Sequence, residues 1–245
     1  MATWTFRSLT EAFNWNFNIT VTNGSTLSLP YSGNVNAGDL MLLNISVSAA
    51  FVWGVSDTQG NVWSQVSSFV DRGDGYKGSL WWAVAKTSGA NTVNIKNNSG
   101  VSATSLAWEI VSFSPPGATP FFDMSATATG NSTTPEVMVP VSRTGSELVI
   151  AAIVPFGGST SVLTGFSATN VFGGNNNPMV YATETSSGAY LPGVAHPSNI
   201  WGAIGASFNY VSTPIQKKRR SAVAAAPPAF TGRMYDYYIT LERLF

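Results

Sequence analysis

Two stretches, 40–47 LMLLNISV and 148–154 LVIAAIV, are apolar at odd and even positions alike. A strand with one wet face alternates apolar and polar residues, and an amphipathic helix repeats every 3.6 residues. Neither pattern fits. Short runs rich in Leu, Ile and Val, bounded by turn residues, are central strands covered on both faces. The fold must therefore put a layer on each side of these two strands.

Strand signals fill much of the remaining chain. They fall near 18–30, 39–49, 62–70, 79–87, 91–97 and 104–114, and again near 136–141, 147–155, 162–170, 178–186, 189–195 and 201–211. Clusters of Gly, Asn, Ser and Pro separate them, as turns require. Before residue 220 a helical period never exceeds two turns; the short exceptions include Ser8–Phe13.

The two sets of strands resemble each other. Gly38-Asp39-Leu40 recurs as Ser146-Glu147-Leu148, each opening an apolar strand. LWWAVAKTSGAN (80–91) recurs as MVYATETSSGAY (179–190), with Trp82 over Tyr181, and LAWEIVSF (106–113) recurs as WGAIGASF (201–208). The expected fold class is all-β: an antiparallel β-sandwich, jelly-roll-like, built from two degenerate half-repeats, with an extended C-terminal arm. The economical reading is one sandwich over 18–212, each half contributing to both sheets. An N-terminal segment, 1–17, and a linker with docking arm, 213–245, lie outside it. The alternative is two tandem sandwiches split near SPPGATP, 114–120.

GDLMLLNISV, SDTQGNVWSQV, LWWAVAKTSGANTVNI and LAWEIVSFS follow one another in that order. The series resembles a jelly-roll-type sandwich found in tailed-bacteriophage virion proteins and bacterial surface proteins. In that group a "GDLL" strand, a "D-x-x-GN" hairpin, a "WYA" strand and a closing strand with a central Glu succeed each other. The likeness covers roughly residues 30–212. It implies a fold; decoration, tail and glycan-binding proteins all belong to the group, so function has to come from the residues.

Those residues offer little chemistry. There is no cysteine, which removes disulfides and thiolate sites. The single histidine, His196, lies in AHPSN and cannot supply a zinc site. Glu109 stands mid-strand with Ala107, Val111 and Phe113 on its face, but has no nearby carboxylate to act as the second group of a glycosidase. The turns SDTQGN (56–61) and DRGDGYKG (71–78) place Asp57 with Asn61 and Asp71 with Asp74, too few oxygens for calcium. Arg72-Gly73-Asp74 spells a cell-attachment tripeptide by three letters only. No enzyme activity, metal or cofactor is expected. Eight tryptophans leave glycan stacking open, with Trp53, Trp63 and Trp81 as the candidates.

Charge is distributed unevenly. Residues 1–212 carry six Lys or Arg against ten Asp or Glu, a net of −4; residues 213–245 carry six against two, a net of +4. Lys217, Lys218, Arg219 and Arg220 stand in a row, followed by the Ala/Pro stretch 221–228. The chain then turns aromatic, with Phe230, Tyr235, Tyr237, Tyr238 and Phe245. A solvated tail does not carry that much apolar surface, whereas an arm that docks elsewhere does. A cationic strap across an acidic neighbour explains the basic row better than a nucleic-acid patch, which needs more charge.

The N-terminus has no apolar run of a secretory signal, and nothing approaches a membrane span. The resulting expectation is a non-enzymatic structural protein of a bacteriophage particle, made in the host cytoplasm and not secreted. It would decorate or cement the head, or belong to the tail. Its expected partners are other virion proteins (capsid or tail subunits) and copies of itself, reached through the arm, with no membrane and no nucleic acid. The alternative is a module that binds glycans or a host receptor through exposed aromatics.

Overall fold

The computed structural model describes residues 3–12, 20–48, 53–117, 119–142, 146–155, 161–169, 178–197 and 199–211. The chain divides into two units, Met1–Thr213 and Pro214–Phe245. The second unit, including the arm and all its candidate residues, lies outside the described residues.

The described residues form strands and no helix. The first half holds β1 (Thr5–Ala12), β2 (Thr26–Pro30), β3 (Leu40–Ser48), β4 (Trp53–Asp57), β5 (Ser64–Gln65), β6 (Val70–Asp71), β7 (Tyr76–Val84), β8 (Thr92–Asn97) and β9 (Thr104–Ser114). The second half holds β10 (Thr119–Ser132), β11 (Val139–Val141), β12 (Glu147–Pro155), β13 (Ser161–Val162), β14 (Ser167–Ala168), β15 (Met179–Glu184), β16 (Gly188–Tyr190), β17 (Val194–Ala195) and β18 (Asn199–Val211).

One main sheet runs β1-β9-β3-β7-β5, with β6 also on β7; the other runs β10-β18-β12-β15-β14. All these pairings are antiparallel. The two orders correspond strand for strand. So do the registers: Leu40 opposes Phe113 as Leu148 opposes Phe208, and Leu42 opposes Trp82 as Ile150 opposes Tyr181. Each edge strand carries a bulge at the same place, after Phe6 in β1 and after Phe122 in β10.

Smaller sheets cover the outer faces. β2-β8-β4 lies over the first main sheet, and the pairs β11-β16 and β13-β17 lie over the second. The two main sheets face each other across a shared core that includes Leu42, Val111, Phe113, Ile150, Ile204 and Phe208. This layering explains the doubly apolar runs. Leu40 and Leu42 of β3 point into the shared core while Met41, Leu43 and Ile45 point into the outer one. In β12, Leu148 and Ile150 face the shared core, and Val149 and Ala151 the outer one.

The packing between the sheets is reciprocal. Trp82 stacks on Phe122 (6.2 Å between ring centroids) and meets Phe208 edge-on (5.7 Å). Tyr181 stacks on Phe6 (5.9 Å) and meets Phe113 edge-on (5.0 Å). Phe6–Phe113 and Phe122–Phe208 close the two triplets, both edge-on. Each triplet draws its indole or phenol from one half and its two phenyl rings from the other. That exchange is the signature of an isologous contact, here within one chain. Such ring pairs contribute about 0.5–1.5 kcal/mol each beyond their burial.

The structure departs from the sequence expectation in three places. First, each half builds its own main sheet and its own outer layer, rather than both halves sharing two sheets. Within each main sheet the paired strands are mostly distant in the chain, as with β1 on β9 and β10 on β18, and the chain crosses between main sheets between Ser114 and Thr119. Second, the N-terminal segment is not outside the sandwich, and Ser8–Ala12 continues strand β1 instead of starting a helical turn. Phe6 packing on Phe113 and Tyr181, with Trp4 buried and its Nε1 donating to the Ser146 carbonyl (2.9 Å), ties the start of the chain down. Tertiary pairing overrides local propensity here. Third, β10 has 14 residues, more than any other strand among the described residues, yet gave no strand signal.

Candidate functional site

Asp57 ends β4 at a turn, and its carboxylate is the hub of a polar clip. Oδ1 accepts from the backbone N–H of Gln59 (3.1 Å) and of Asn61 (3.0 Å). Oδ2 accepts from Asn61 Nδ2 (2.8 Å), Trp63 Nε1 (2.9 Å) and Asn91 Nδ2 (3.2 Å). The Asn61 side-chain carbonyl then accepts from the Lys86 backbone N–H (2.8 Å), and Lys86 Nζ donates to the Gly60 carbonyl (2.7 Å). Gly60 has φ +69°, a conformation that favours glycine. Each letter of the D-x-x-G-N turn thus has a job: the carboxylate gathers the loop, the glycine bends it, and the asparagine fastens it to the end of β7. Burial alone would raise the Asp57 pKa. The bonds from Asn61, Trp63 and Asn91 outweigh it and hold the carboxyl below its ordinary value. With its acceptor capacity taken up by N–H groups, this carboxylate suits a structural clip and not a cation.

The second acidic turn is equally self-contained. The Arg72 guanidinium is buried and grips Asp74 with two bonds, Nε to Oδ1 (3.0 Å) and Nη2 to Oδ2 (2.5 Å). Its Cζ lies 4.6 Å from the centroid of the Tyr76 ring, a cation–π contact. The Tyr76 hydroxyl donates to the Ser105 carbonyl, and burial pushes its pKa up to about 12. Desolvation raises the Asp74 pKa, but the bonds from Arg72 and the Tyr76 backbone lower it further, so the net shift is downward. The arginine of Arg72-Gly73-Asp74 lies under its own turn and is not on offer to a receptor.

Glu109 is almost wholly buried on the face of β9 that looks into the shared core. Oε2 accepts from the backbone N–H of Met179 (3.1 Å), and the Thr169 hydroxyl donates to Oε1. Both partners come from the other half. Glu109 is a cross-sheet tie with no opening to solvent. His196 is buried too; its backbone N–H donates to the Thr133 carbonyl (2.9 Å), and neither ring nitrogen finds a hydrogen-bond partner. Among the described residues it is paired with no nucleophile.

The tryptophans separate. Trp53 is core, packed between β3 and the outer layer, with no ring face left for a sugar; it is withdrawn as a glycan candidate. Trp63 and Trp81 are half-buried against the same core, their Nε1 groups donating to Asp57 and to Ser79 Oγ (3.0 Å). The aromatic wall of a cavity is instead Trp82, which also packs against the shared core. It lines a cavity of about 440 Å³ with Val62, Ser64, Val84, Lys86 and Thr119. A smaller hollow beside it, about 170 Å³, contains Arg7, Asp39 and Ser114. There Ser114 Oγ donates to Asp39 Oδ1 (2.6 Å) and accepts from Arg7 Nε (2.7 Å). The candidates Lys217, Lys218, Arg219, Arg220, Phe230, Tyr235, Tyr237, Tyr238 and Phe245 lie outside the described residues.

Comparison of the chain with family models, curated proteins and solved structures finds no match.

Proposed function

We propose that the chain is a non-enzymatic structural protein of a bacteriophage particle, decorating the head or associated with the tail, and that residues 213–245 attach it to neighbouring subunits. One observation carries this reading. The folded unit closes at β18, an interior strand flanked by β10 and β12 and ending at Val211. All of the basic, aromatic segment therefore follows the last strand among the described residues. That segment has a net charge of +4 where residues 1–212 have −4. The carboxylates that looked chemical, Asp57, Asp74 and Glu109, are taken up by side chains and backbone of the fold itself, as expected of a scaffold. The test is incorporation: chains with and without 221–245 are supplied during particle assembly and counted in gradient-purified particles. Truncation is expected to abolish or strongly reduce incorporation. Charge reversal at Lys217–Arg220 should reduce it less, with the loss greatest at low salt, because exposed ion pairs are screened. Full incorporation of the truncated chain would refute the reading.

A second reading rests on the Trp82 cavity. Its ring, with Lys86 and Ser64 at hand, suits a sugar better than the three tryptophans named from sequence. Retention of full-length protein on a glycan array, lost in Ser64→Trp, would favour a glycan- or receptor-binding module.

A further inference from the structure

We propose that the free edge of β10 is a strand-addition site, and that its occupant is the segment Phe230–Phe245 of a second copy of this chain. The inference rests on reading 213–245 as a docking arm and names where the arm goes. Among the described residues β10 ends its sheet, with β18 on one side only. An unpaired strand edge is a template for another chain, and folded proteins usually blunt it with charge, proline or a short strand. β1, at the corresponding position, follows that rule: it has eight residues and includes Arg7 and Glu11. β10 does not. It has 14 residues, and from Met124 to Ser132 it carries neither charge nor proline.

Its side chains fit the proposed occupant. One row of β10, Ala126, Ala128 and Gly130, is small and only partly covered, resting on the outer core. An added strand with bulky residues at every second position would fill the space beside that row. In an extended arm Tyr235, Tyr237, Ile239 and Leu241 share one side. The other row of β10, Thr127, Thr129 and Asn131, is exposed, and would run beside Tyr238, Thr240 and Glu242. The lengths agree, 16 arm residues against 14. Residues 213–229 give a linker of up to roughly 55–60 Å, enough to leave one domain for the next.

The chain has no cysteine, so introduced pairs report contacts without background. Full-length protein with cysteine at Thr127, Thr129 or Asn131 is mixed with differently tagged full-length protein carrying cysteine at Asp236, Tyr238 or Thr240, then mildly oxidised. Residues opposite each other on antiparallel strands stand about 4.5–5.5 Å apart at Cα, within disulfide reach. The expected result is a disulfide between differently tagged chains as the main product in one register, with hydrogen exchange of β10 amides slowing as protein concentration rises. Disulfides only between like-tagged chains, β10 to β10 or arm to arm, or no disulfide in any pairing would overturn the proposal. If truncation blocks incorporation yet no β10–arm disulfide forms, the docking arm stands and β10 is not its site.

Discussion

The two halves of the folded unit share strand order and register but differ in what they add to that frame. At the contact between main sheets they are near equals: Trp82, Phe122 and Phe208 mirror Tyr181, Phe6 and Phe113. Even the polar pair where the first apolar strand meets the closing strand recurs, Ser114 on Asp39 and Asn209 on Glu147. Away from that contact they diverge. The first half has a continuous three-stranded outer layer pinned by Asp57; the second has two separate pairs of short strands. The position of Glu109 in β9 is taken by Ile204 in β18. The first edge is short and charged, the second long and uncharged from Met124 to Ser132. The shared features lie where the halves meet, and the differences lie mostly in the outer layers and edges.

Breaking the mirrored contact should have the largest effect. Phe113→Ala and Phe208→Ala each remove a fully buried ring from the shared core and should cost about 3–5 kcal/mol. If the two positions are equivalent, chemical denaturation will show similar losses with a single transition in each case. A loss at one site only would break the mirror. Trp82→Ala should cost less, about 2–3 kcal/mol, because its ring is only partly buried beside the cavity.

Replacing Glu109 tests the asymmetry. Glu109→Leu imitates the apolar residue of the other half but strands the Met179 N–H in the core. A cost of about 1–3 kcal/mol is expected, without loss of any biological activity of the assembly. A neutral or stabilising change would mean that the tie is dispensable.

The smallest effect is expected at the clip. The Asp57 pKa is lower in the folded state than its ordinary 3.8. Its contribution is therefore fully present above that value and is lost as pH falls through the folded pKa. Asp57→Asn should lower stability at pH 7 and flatten the acid side of the stability profile below about pH 4. An unchanged acid limb would show that the clip does not discriminate between charged and neutral forms.

Much of the frame was legible because apolar burial leaves a pattern. The runs 40–47 and 148–154 announced two covered faces, and the segment matches put Trp82 opposite Tyr181 and Leu40 opposite Leu148, positions that do correspond in the sheets. β10 was invisible for the converse reason. An edge strand with one exposed row needs no apolar run, so its Ser, Ala, Thr and Gly residues read as a loop. β1 was hidden because its evidence is tertiary: Phe6 makes sense only beside Tyr181, 175 positions away. The turn at Asp57 was visible as a turn, but Asn91, which completes the clip from the next hairpin, carried no signal of its own. Glu109 was placed on the correct face, yet its partners Thr169 and Met179 belong to the other half. The cavity was missed because Trp82 serves two surfaces at once, stacking on Phe122 and lining a hollow beside it.

The central claim is that residues up to Thr213 form a complete folding unit and that the segment after it serves contacts with other chains. Scanning calorimetry of the full chain and of a chain ending at Ser212 tests it most directly. For a domain of this size, 1 kcal/mol corresponds to about 2–4 °C in Tm, so an internal role for the tail would be plain. The account predicts one cooperative transition in both proteins, at temperatures within about 1 °C of each other in dilute solution. A truncated chain that melts many degrees lower, or fails to fold, would contradict it and make the tail part of the domain.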